Sequence, residues 1–185
     1  MKNCRQYNLF HYRWFIPIIN VLHYQKGAKF ITLLKELKIS RSVLTSTLNK
    51  LIAQGFAMRN PGYGHPLRPE YILTDRGLQL GPFCNEMMTC IMGQNGHHLI
   101  QSKWAIQIIH LCSGGEIRFS ELKSALTPIT SRALSEELKV LNAEDFIERK
   151  IIENYPPLTI YSLAEKSLPF VKVIKKHENS LDPFL

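Results

Sequence analysis

Residues 118–152 read RFSELKSALTPITSRALSEELKVLNAEDFIERKII. Within this stretch Leu134, Leu138 and Leu141 recur at i, i+4 and i+7, which places them on one face of a helix, and Thr130 stands where an N-cap belongs. A shorter helix is expected just before it, over Ser120–Leu126, with Ser120 as its N-cap and Phe119 positioned to staple its start. Two short helices separated by three or four residues make a helix-turn-helix. Phe146–Ile152 then reads as a strand, Asn154-Tyr155-Pro156-Pro157 as a tip, and Thr159–Leu163 as a return strand, so the motif closes in a hairpin, or wing. Upstream, Trp104–Cys112 is an apolar helix broken by Ser113-Gly114-Gly115.

The same order occurs earlier in the chain, at an offset of about 90 residues. Trp14 matches Trp104, and Ile16, Ile18 and Ile19 match Ile106, Ile108 and Ile109. After a one-residue slip Phe30, Leu33 and Leu37 match Phe119, Leu122 and Leu126. Leu44, Leu48, Leu51 and Phe56 match Leu134, Leu138, Leu141 and Phe146, while Arg59 matches Arg149 and Tyr71 matches Tyr161. The first copy therefore predicts helices over Trp14–Tyr24, Ile31–Lys38 and a third one capped by Ser40, then strands Phe56–Arg59 and Glu70–Leu73 around a Pro/Gly-rich tip. A long helix over Asp75–Met92, capped by Thr74, carries a stripe of Leu80, Phe83, Cys84, Met87, Met88 and Ile91, more than one small wing domain can bury, and reads as a helix–helix seam. Gly93-Gln94-Asn95-Gly96 is the expected linker. The predicted fold is mainly α with small β wings (α+β): two tandem winged helix-turn-helix units, 1–93 and 94–185, related by a pseudo-two-fold.

An apolar fraction of 45 % in 185 residues supports folded cores. The net charge of +8 favours a polyanionic partner, and all of the excess lies in residues 1–93, which hold 12 Lys+Arg against 4 Asp+Glu. No apolar run approaches the roughly 18 residues a membrane span needs, and the start of the sequence lacks a secretory pattern, so no membrane partner and a cytoplasmic location are expected. Cys4, Cys84, Cys90 and Cys112 show no C-x-x-C spacing; free thiols in a reducing compartment are expected, with redox sensing by one of them as the alternative. No nucleophile elbow, phosphate-binding loop, metal pair or dinucleotide fingerprint appears, so neither an enzyme nor a cofactor is expected.

Lys103-Trp104, Arg118–Leu122, Thr130–Leu134, Glu144–Arg149 and Tyr161-Ser162-Leu163 together resemble the HxlR-type winged-helix regulators. The first copy keeps Arg13-Trp14, Ile39-Ser40, Leu44 and the run Arg68–Gly77. The resemblance implies a DNA-binding transcription factor of bacteria or archaea. Family members usually have one unit per chain, dimerise through their first and last helices and bind pseudo-palindromic DNA; some respond to reactive small molecules through a cysteine near the N-terminus. Two units in one chain depart from that pattern.

In a helix-turn-helix the second helix enters the major groove with its N-terminal residues against base edges. With Leu44, Leu48 and Leu51 on the core side, the candidate DNA face of the first copy is Arg41, Ser42, Thr45, Ser46, Asn49 and Lys50, with Lys38 in the turn and His65 and Arg68 on the wing. The second copy offers Ser131, Arg132, Ser135 and Lys139, but adds Glu136 and Glu137 and has Leu158 where the first wing has Arg68. Two readings of the second unit stand: it binds a different half-site, or it serves assembly or regulation. Double-stranded DNA is the expected partner, and a protein–protein scaffold is the alternative function. An intrachain pseudo-dimer is favoured over a homodimer, because a short tether gives its two ends a high effective concentration. A small-molecule or redox effector stays unidentified.

Overall fold

The computed structural model describes residues 12–60, 70–153, 155 and 157–181. The chain runs α1 (Phe15–Tyr24), β1 (Ala28–Lys29), α2 (Phe30–Leu37), α3 (Arg41–Ala53), β2 (Ala57–Asn60), β3 (Glu70–Leu73) and α4 (Asp75–Gly93). After a short helix α5 (His97–Gln101) the order repeats as α6 (Ala105–Cys112), β4 (Ile117–Arg118), α7 (Phe119–Ala125), α8 (Ser131–Ala143), β5 (Ile147–Ile152) and β6 (Leu158–Leu163). A 3-10 turn (Glu165–Ser167), α9 (Leu168–Lys176) and α10 (Glu178–Leu181) follow. Each repeat carries an antiparallel three-stranded sheet, ordered β1-β3-β2 and β4-β6-β5, with Arg59 opposite Tyr71 and Arg149 opposite Tyr161. The first strand of each sheet was not expected, since two residues cannot display a period of two.

Local chemistry sets the helix ends. Ser40 and Thr130 cap α3 and α8 as expected, their hydroxyls accepting from the Val43 and Ala133 amides at 3.3 and 3.2 Å. Thr74 caps α4 by accepting from the Gly77 amide at 3.2 Å. Both α3 and α8 end in one closure. The Phe56 and Gly55 amides donate to Leu51 and Ile52, and the Phe146 and Asp145 amides donate to Leu141 and Asn142. The closure needs one left-handed residue, and Gly55 (φ 73) and Asp145 (φ 59) supply it. Phe56 and Phe146 are then driven into the core at the point where each wing begins.

Three expectations are corrected. Ser120 is not an N-cap: α7 begins one residue earlier, Arg118 is the capping position, and the Glu121 carboxylate accepts the Arg118 amide at 2.8 Å. The helix-turn-helix connection has three residues in the first repeat, Lys38–Ser40, and five in the second, Leu126–Thr130. Pro128 in that longer turn brings no amide hydrogen to continue a helix. The expected linker is not all loop, because α4 includes Gly93, Asn95 turns the chain at φ 53, and α5 follows at once.

Buried side chains of both repeats form one continuous cluster, from Phe15, Leu44 and Leu48 through Phe83 and Met87 to Leu134, Phe146 and Phe170. Trp14 and Trp104 pack against it, half-buried. The spine is α4, which contacts α1 on one side and α9 and α10 on the other. Its close approach to α1 depends on Gly81, where a Cβ would overlap the His23 ring. Pro82, inside α4, lies on the exposed side, where water can replace its missing intrahelical bond. Across the seam Phe83 meets His177 edge-to-face at 5.8 Å, and the Glu86 carboxylate pairs with Lys176 at 2.6 Å and lies 3.3 Å from the His177 ring. The hydrogen bond from Lys176 is the chief cause that holds Glu86 below the usual carboxylate range.

Candidate nucleic-acid interface

The buried side of α3 is Leu44, Thr47, Leu48 and Leu51; Thr47 stays dry by donating its hydroxyl to the Val43 carbonyl at 2.8 Å. This orientation leaves Arg41, Ser42, Thr45, Ser46, Asn49 and Lys50 all exposed, and Lys38 exposed in the turn in a left-handed conformation (φ 51). Stepping about 100° per residue, Ser42, Thr45, Ser46 and Asn49 face away from the core, with Arg41 and Lys50 at the two edges. Lys50 leans back, its amine 4.9 Å from the centre of the Tyr12 ring. The Ser42 hydroxyl lies 3.1 Å from that of the capping Ser40. No acidic residue occurs on α3, so its outer face is cationic and rich in hydrogen-bonding groups. The wing candidates His65 and Arg68 lie outside the described residues.

On α8 Ser131, Arg132 and Lys139 are exposed and Ser135 is half-buried. The helix is electrically different from α3. Arg132 donates to Glu136 at 2.9 Å, an exposed i, i+4 pair, and Glu137 is bonded to the His98 ring of α5 at 2.7 Å. Two carboxylates therefore accompany the two cations of this helix. The second wing exposes Ile151, Ile152 and Tyr155.

Sequence reasoning missed one feature. Between α8 and the base of the second wing lies an open cleft of about 250 Å³. Ser135, Lys139 and Asn142 line it from α8, Arg149 from β5, and Phe119 and Tyr161 from below. The pairing of Arg59 with Arg149 in the repeat was the available signal, but it carried no indication that the arginine faces the recognition helix. In the first repeat Arg59 is folded onto its cross-strand neighbour, donating to the Tyr71 hydroxyl at 3.4 Å with its guanidinium 5.7 Å from the ring centre.

Burial disfavours the thiolate at the three described cysteines. Burial pushes the Cys112 thiol up to about 12 and the fully buried Cys84 higher still; Cys90 is raised by burial first and by Glu86 second. Cys4 lies outside the described residues. Among the described residues no group of three or more His, Cys, Asp or Glu is arranged to hold a metal ion. No helix among them is long and apolar enough to cross a membrane.

Capped second helices presented outward beside a three-stranded wing define a winged helix-turn-helix protein, here with the motif twice in one chain. The chain belongs to the HxlR-like helix-turn-helix family, whose model matches residues 9–98 and again 99–180. It is similar to an uncharacterized HTH-type transcriptional regulator of Halalkalibacterium halodurans, 37 % identical over 79 residues that cover 42 % of this chain and 70 % of that one. It is also similar to the HTH-type transcriptional regulator YodB of Bacillus subtilis, 28 % identical over 95 residues that cover 51 % and 85 %. The solved structure of the reduced form of YodB covers 52 % of this chain and 90 % of its own, at 28 % identity and a TM-score of 0.42.

Proposed function

We propose that this chain regulates transcription by binding double-stranded DNA in a sequence-specific way, with α3 and α8 in successive major grooves and the wings on the flanking backbone or minor groove. The observation that carries the reading is the outer face of α3, where Arg41, Ser42, Thr45, Ser46 and Asn49 are all exposed with no carboxylate among them. Serine and threonine can read several base edges, asparagine pairs with adenine, and arginine reaches guanine or phosphate. The repeats at 1–93 and 94–185 act as the two halves of a dimer, and the shared core supports this by holding both second helices in one body. In the pseudo-two-fold arrangement α3 and α8 stand on one side, about 34 Å apart, one turn of DNA. Since their outer faces differ, the two half-sites differ in sequence, and one chain suffices for one operator.

The test is selection of a duplex from a random pool, followed by a base-substitution scan with wild type, Asn49→Ala and Ser46→Ala. The variants are expected to lose discrimination at one or two base pairs, about 1–3 kcal/mol for a bidentate contact. Identical preferences in all three proteins would remove these side chains from readout.

A further inference from the structure

The cleft between α8 and the second wing joins two candidate residues of the DNA face, Ser135 and Lys139, to one that the sequence reading did not include, Arg149. It brings Lys139 of α8 and Arg149 of β5 to one opening, together with the Ser135 hydroxyl and the Asn142 amide, over the Phe119 and Tyr161 rings. Both cations are exposed, and among the described residues neither has an ion-pair partner. The other arginine of this face, Arg132, is held by Glu136. The equivalent positions of the first repeat are differently furnished. Asn49 stands for Lys139 and the half-buried Ile52 for Asn142, and Arg59 is turned onto Tyr71. At these positions the second repeat thus brings two cations to one cleft, whereas the first repeat has one, Arg59, turned onto Tyr71.

We infer that this cleft seats the sugar-phosphate backbone of one DNA strand, and that the second unit grips DNA chiefly there, with Lys139 and Arg149 as its phosphate contacts. The inference rests on the DNA-binding reading above and adds to it the residues and the mode of binding of the second unit. The geometry follows from the motif. A helix in the major groove and a wing over the adjacent groove lie on opposite sides of the ridge that separates the grooves, and that ridge is a phosphate strand. It must pass between α8 and β5–β6, where the cleft is. Two cations and neutral hydrogen-bond donors suit phosphate oxygens. The cleft is half-open to solvent, so a continuous strand can pass along it. Arg149 also lies directly across from Tyr161 in the sheet, so its backbone is fixed by the wing. Binding of this type is insensitive to sequence, so the first unit would supply most of the readout and the second most of the anchorage.

The experiment uses the full chain and a fluorescein-labelled mixed-sequence duplex of about 30 bp, titrated between about 50 and 200 mM salt. Arg149→Gln and Lys139→Gln should each lower the slope of log K against log salt by about one and weaken binding evenly across sequences. Arg149→Lys should keep the slope. Both positions are exposed, so thermal melting of all three variants should match wild type and separate contact loss from misfolding. Arg41→Gln, on the first recognition helix, is the comparison. If its slope falls while Arg149→Gln and Lys139→Gln keep the wild-type slope, the cleft is not a phosphate seat and the DNA-binding reading survives. If wild type itself binds no duplex at any salt, the DNA-binding reading fails and this inference with it.

Discussion

Phe83→Ala tests whether the two repeats fold as one body. Phe83 is fully buried on α4 and faces the His177 ring of the second repeat at 5.8 Å. Truncating a buried phenylalanine costs about 3–5 kcal/mol in lost transfer energy and residual cavity. At a urea m-value of about 2–3 kcal/mol/M, that is a midpoint shift of about 1–2.5 M. The chain has two tryptophans, Trp14 in the first repeat and Trp104 in the second, both half-buried against the shared core. Trp14→Phe and Trp104→Phe backgrounds therefore report each repeat alone. Because α4 packs on α1 and on α9, the substitution should lower both midpoints together and by the same amount. A shift confined to the Trp14 signal would show two independently melting units and would refute the single-core argument, and with it the fixed spacing of α3 and α8.

Ser40→Ala and Thr130→Ala each remove a cap hydrogen bond, and each should cost about 1 kcal/mol in urea unfolding, with Thr130→Ser restoring most of it. Glu136→Gln removes a carboxylate from the outer face of α8 and releases Arg132, so duplex affinity should rise and its salt slope steepen; a weaker complex would mean that Glu136 itself reads a base. Since burial holds the Cys84 and Cys112 thiols far above neutral pH, both stay protonated at pH 8, and a thiolate-specific reagent should modify them only at the rate of unfolding. Rapid modification of either in the native chain, followed by mass spectrometry of its peptides, would contradict the buried placement.

The periodic apolar positions were sufficient to place most elements. Leu134, Leu138 and Leu141 could only be one face of α8, and once that face pointed inward the polar residues of the helix had to point outward; the same logic exposed the α3 face from Leu44, Leu48 and Leu51. The caps at Ser40, Thr74 and Thr130 were legible because capping is a bond between near neighbours in sequence. The Ser120 cap failed for a local reason too: the Glu121 carboxylate reached the Arg118 amide and moved the helix start back by one residue. What stayed hidden depends on residues distant along the chain. The strands Ala28–Lys29 and Ile117–Arg118 exist only because β3 and β6 offer them an edge. The bond that ties Glu137 of α8 to the His98 ring of α5 joins residues 39 positions apart. The cleft is the clearest case. In sequence the first repeat looked better equipped for DNA, since it holds the excess charge. Only the packing of β5 against α8 puts Arg149 beside Lys139, while the same fold turns Arg59 onto Tyr71. Charge along a chain is additive and can be counted, but the field at a surface depends on which charges meet, and that is a property of tertiary structure alone.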